Sequence, residues 1–80
     1  MKQIINEERL SEKIRVIISP LTVMGTQMYK IESQQYFPDC YAYWEVDSDG
    51  WRTTISTTSN TRAGADEVMQ EFIARGRRYM

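Results

Sequence analysis

The chain contains no histidine and a single cysteine, Cys40. The first absence removes Ser-His and Cys-His nucleophilic systems, histidine general bases and histidine metal ligation together. The second rules out an intrachain disulfide and leaves too few ligands for a zinc site. Only four glycines are present, at positions 25, 50, 64 and 76, too scattered for a P-loop or a dinucleotide fingerprint. Long apolar runs are missing as well. The longest uncharged stretch, Val16 to Tyr29, covers 14 residues and is interrupted by Pro20 and Gly25, too short to cross a bilayer. The opening MKQIINEERL has no apolar core of the kind a signal peptide needs. These absences lead to the expectation of a soluble cytoplasmic protein with no cofactor, no metal and no catalytic centre, and with no membrane partner.

What remains is enough to fold. Eighty residues correspond to one domain spanning 1–80, which buries about 60–65% of the surface its unfolded form exposes. A hydrophobic fraction of 41% with 26% charged residues is a folding composition and not a disordered one. The net charge of −1 gives no bulk attraction to nucleic acid or anionic lipid. Charge is nevertheless segregated. Glu32, Asp39, Glu45, Asp47 and Asp49 follow one another with no base between them, whereas Arg75, Arg77 and Arg78 crowd the C-terminus.

Local patterns suggest the elements. Asn6 to Lys13 reads as a short helix, with Asn6 as N-cap and Glu7 and Glu8 in its first turn. Lys13 to Ser19 alternates, Ile14, Val16 and Ile18 against Lys13, Arg15 and Ser19, and so predicts a strand that Pro20 ends. Gly25 marks a turn, and Thr26 to Ser33 alternates again as a second strand. Tyr36 to Asp39 carries the Pro-Asp signal of a loop.

The stretch YAYWEVDSDGWRTTIS, Tyr41 to Ser56, predicts a hairpin with Asp47 to Gly50 as its loop. That loop sets Val46 opposite Trp51, Trp44 opposite Thr53 and Ala42 opposite Ile55. One apolar face results, and Glu45 pairs across the other with Arg52. Beyond the polar run Ser56 to Thr61, residues Ala65, Val68, Met69, Phe72 and Ile73 recur at helical spacing. They predict a helix over Ala63 to Arg75, capped by Thr61, with Asp66 and Glu67 early, Arg75 late and Gly76 just past its end. The expected architecture is two-layer α+β, a three- to four-stranded antiparallel meander packed by the C-terminal helix. In this reading the helix covers the face bearing Trp44, Val46, Trp51 and Ile55.

Two chemical readings of the hairpin can be tested on its residues. As a calcium loop beginning at Glu45, it would put Ser56 where a bidentate glutamate is required, between strands where helices are required. As a base-stacking platform, it offers Tyr41 and Tyr43 but no positive charge beyond Arg52 to meet phosphates. Helix–three strands–helix is also the order of double-stranded-RNA-binding domains, but Asp66 and Glu67 stand where those carry lysines. The run YWEVDSDGWRTTISTTSNTRAGADEVMQEFIARG resembles the small arm-binding domain of phage-type integrases, three strands followed by a helix. That resemblance implies a basic sheet set in the major groove, and this sheet is not basic.

The expected function is therefore a non-enzymatic protein-binding module. Its surface would be Tyr41, Tyr43, Glu45, Asp47, Asp49 and Arg52, aromatic and acidic, suited to a partner with a basic surface. Size and lack of catalytic apparatus place it beside phage or mobile-element inhibitors of nucleic-acid-handling complexes, anti-CRISPR proteins among them, as a class analogy. The alternative is a small DNA- or RNA-binding domain using the sheet face and a basic patch of Arg75, Arg77, Arg78 and Tyr79. An edge strand leaves a homodimer open.

Overall fold

In the computed structural model, which describes residues 3–36 and 50–78, strand follows strand from the start. The elements are β1 (Asn6–Ser11), β2 (Ile14–Val23), β3 (Thr26–Tyr36), β4 (Trp51–Ser59) and α1 (Arg62–Arg78). The four strands form an antiparallel sheet in the order β1-β2-β3-β4, and α1 packs against it. This is the α+β meander with a C-terminal helix that the sequence predicts. No described helix is long and apolar enough to cross a membrane.

Asn6 to Lys13 is not a helix. Asn6 to Ser11 pairs with β2, Asn6 opposite Ile18 and Arg9 opposite Arg15. A helix this short has little intrinsic stability, and ladder bonds to β2 outweigh its capping signals. The strand alternates in its contacts as well. On one side Glu7 meets Arg9 at 2.8 Å. On the other, Asn6 Nδ2 donates to Met69 Sδ at 3.6 Å and Glu8 lies 3.9 Å from Arg77, both partners on α1.

Pro20 does not end β2, which runs to Val23. Ile18 turns its carbonyl toward the β1 side, where Ile5 N–H donates to it at 2.8 Å. Two residues on, Pro20 presents its donor-less nitrogen to the same side, past Asn6, so no ladder bond is lost there. β2 and β3 then continue together to a two-residue turn at Met24 and Gly25, with φ of 51° and 81°. Positive φ at both positions matches a type I′ hairpin turn, the geometry that follows the twist of the strands.

Val16, Ile18 and Ile31 of the sheet pack against Ala65, Met69, Phe72 and Ile73 of the helix, and these seven side chains form the main core. Thr61 is the N-cap, its Oγ1 accepting from Gly64 N–H at 3.0 Å. The helix is longer than its pattern suggests. It begins at Arg62, so Asp66 lies beyond the first turn, bonded to Arg62 at 3.2 Å. It also passes through Gly76 to Arg78, so Gly76 is not a terminator. A Cβ on Gly76 would stand 2.5 Å from Leu10 Cδ1, and glycine here allows β1 and α1 to approach.

Trp51 does not lie under the helix. Ser33 pairs with Ile55 but Gln34 with Thr53, so Thr54 is an extra residue in β4. Such a bulge breaks the period of two. Ile55 stays on the helix side, and Trp51 turns to the opposite face, beside Arg15 and Tyr36. Thr54 Oγ1 donates to the Ser33 carbonyl at 3.0 Å and ties the bulge to β3. Residues 41–46, with the predicted pairing of Trp44 and Val46, lie outside the described residues.

Candidate protein-binding surfaces

Three features of the described residues could carry function. The first is the outer end of the β2–β3 hairpin. β1 accompanies β2 only as far as the Asn6–Ile18 pair, and β4 accompanies β3 only from the Tyr29–Ser59 pair. From Leu21 to Met28 the hairpin is therefore two-stranded among the described residues. No charged residue occurs from Ser19 to Tyr29. Val23 is 42% exposed and Met24 is 100% exposed at the tip. Type I′ turns favour Asn, Asp or Gly because their short side chains or missing Cβ tolerate the left-handed region. Here a bulky apolar residue occupies that region, fully in solvent.

The second feature is the face of the sheet opposite α1. Period two alone predicts that Arg15 and Ser19 face solvent, but both are buried, as is Ile17 between them. Arg15 Nε donates to Gln34 Oε1 at 2.7 Å, and Gln34 Nε2 donates to Glu32 Oε2 at 2.9 Å. Thr53 Oγ1 donates to the same Glu32 oxygen at 3.2 Å. Arg15 also meets Glu7 at 3.4 Å, and Lys30 meets Glu32 Oε1 at 3.1 Å. Arg15 and Arg9 both lie over the Trp51 ring, at 4.2 and 5.4 Å from its centre, and Tyr36 leans on it at 5.1 Å. Arg9, Arg15 and Lys30 thus each face a carboxylate. Such compensated charge orders this face and offers little to an incoming anion.

The third feature lies at the other end of the sheet. A groove of about 260 Å³ opens between the last turn of α1 and the Thr54 bulge. Ile14, Ile55 and Phe72 make its apolar lining, with Gln35, Gly76 and Arg75 around them. Arg75, Arg77 and Arg78 share the last turn of the helix, where cations are favoured by the macrodipole.

The site residues expected from sequence are divided by this structure. Tyr41, Tyr43, Glu45, Asp47, Asp49 and Tyr79 lie outside the described residues. Arg52 is half-buried in β4 opposite Gln35. Arg75, Arg77 and Arg78 are exposed and share the last turn of α1. Sequence reasoning missed the hairpin tip and the buried polar face. A Met-Gly pair where hairpins prefer Asn-Gly was the available signal for the tip. Ile17, apolar on a strand face otherwise read as polar, was the signal for the other. Among the described residues no three His, Cys, Asp or Glu side chains come together to hold a metal ion.

No protein-family model matches the chain, and no curated protein or solved structure matches it.

Proposed function

We propose that this protein is a small non-enzymatic protein-binding module, an inhibitor or adaptor, that engages its partner with the β2–β3 hairpin tip. The observation carrying this reading is Met24, fully exposed and apolar in a left-handed conformation. An exposed apolar residue in an unfavourable conformation is hard to explain by the fold alone, since asparagine would serve the turn better. Methionine suits a contact surface, being flexible and polarisable enough to fill an irregular pocket. The acids Asp39, Glu45, Asp47 and Asp49, with no base among them in the sequence, complement the tip by steering the module toward a basic partner. By small size and the lack of a recognisable catalytic motif, a phage or mobile-element inhibitor of a nucleic-acid-handling complex, in the manner of an anti-CRISPR protein, is the class this reading points to by analogy.

The reading is tested by capture from host lysate with mass spectrometry, comparing the wild type with Met24→Asn and with Asp47→Lys plus Asp49→Lys. Loss of one abundant partner in Met24→Asn supports the tip as the contact. Loss only in the double lysine variant moves the contact to the acidic segment. Nucleic-acid binding is the second reading, favoured by the exposed cluster of Arg75, Arg77 and Arg78. A gel-shift titration decides it: phosphate contacts demand steep salt dependence, and no shift at low salt removes it.

A further inference from the structure

The groove beside the last turn of α1 has a chemistry different from that of the hairpin tip, and it lies at the opposite end of the sheet. We propose that it holds one apolar side chain of a protein segment whose flanking residues are acidic. Its apolar lining is only partly used by the fold: Phe72 is buried from the helix side, but Ile55 remains 39% exposed at the mouth. The volume of about 260 Å³ falls below the range of about 300–1,000 Å³ typical of small-molecule pockets. It suits a single large side chain entering from a neighbouring chain.

The rim selects what accompanies that side chain. Arg75 borders the groove, and Arg77 and Arg78 follow on the same turn. Arg77 is engaged at 3.9 Å by Glu8, whereas Arg75 and Arg78 make no ion pair among the described residues. A guanidinium beside an apolar cavity presents a rigid fork of donors that matches a carboxylate. A second copy of this chain, entering by its hairpin tip, would leave these charges unused because that tip is uncharged from Ser19 to Tyr29. The proposal is independent of the hairpin contact and adds a second binding site to the module.

The test is a titration of the ¹⁵N-labelled protein, followed by its amide resonances, with three short peptides. One carries a leucine between glutamates, one a leucine between lysines, and one a serine between glutamates. The expected result is a set of shifts at Ile14, Ile55, Phe72 and Arg75 with the first peptide, and binding roughly tenfold weaker for the other two. Arg75→Glu should reverse the preference between the leucine peptides, and Ile55→Thr should weaken both while preserving a strand-forming residue. Equal binding of all three peptides, or no shifts in the groove, overturns the assignment. So does tighter binding of octanoate than of the peptide, or self-association that closes the groove without any peptide. None of these peptides addresses Met24, so failure here leaves the hairpin contact to stand or fall on its own capture experiment.

Discussion

The guanidinium carbon of Arg15 lies 4.2 Å from the centre of the Trp51 ring, while its Nε donates to Gln34 at 2.7 Å. One side chain thereby joins β2 to β3 by a hydrogen bond and to β4 by a cation–π contact. Both partners of that contact are buried, where such an interaction reaches about 2 kcal/mol. Trp51 can take this position only because the Thr54 bulge turns it away from the helix.

Arg15→Ala should therefore be among the costliest single changes. It removes one cation from the face of the Trp51 ring, the 2.7 Å donor to Gln34 Oε1 and the 3.4 Å partner of Glu7. A loss of about 3 kcal/mol is expected by urea unfolding. Arg15→Lys should recover little of it, because an ammonium cannot both stack on the indole and reach Gln34. A full recovery by lysine would show that charge alone matters at this position.

Thr61→Ala should cost about 1 kcal/mol, since it leaves Gly64 N–H without its 3.0 Å acceptor. Thr61→Asp should retain the fold, because its carboxylate can cap the same donor and also suits the helix dipole. Thermal unfolding of the pair against wild type checks both signs.

Gly76 and Leu10 should be energetically coupled. Alanine in a helix interior is worth up to about 1 kcal/mol over glycine, but a Cβ at this site meets Leu10 Cδ1 at 2.5 Å. Gly76→Ala is expected to gain less than that in the wild type and to show its full gain in a Leu10→Ala background. A double-mutant cycle reads the difference directly. Zero coupling would mean that Leu10 moves aside at no cost.

How much of this was legible in the sequence depends on the kind of signal each residue carries. Val16 and Ile18 at period two, and Ala65, Met69, Phe72 and Ile73 at helical spacing, place most of the two halves of the core from local pattern. Thr61 as cap is legible for the same local reason. Asn6 to Ser11 was misleading because its residue types carry helix-capping signals, whereas its pairing with Ile14 to Ile18 is a strand ladder those signals do not announce. Gly76 misled in the same way: a helix-terminating signal at one level is a close-packing residue at another. The bulge at Thr54 leaves no mark in the residue types, yet it decides on which face Trp51 lies. Of the candidate sites, the terminal arginines were legible by their clustering alone. The groove was not, because Ile14, Ile55 and Phe72 meet only after β2, β4 and α1 are assembled.

The central claim is that Met24 is held at the hairpin tip for what it touches and not for the turn it makes. Met24→Asn separates the two most directly, with thermal unfolding and partner capture measured on the same preparation. The account predicts stability unchanged or raised by up to about 1 kcal/mol, as asparagine accepts the left-handed φ of 51° more readily, together with loss of the captured partner. Capture at wild-type level by a fully folded Met24→Asn protein would contradict it.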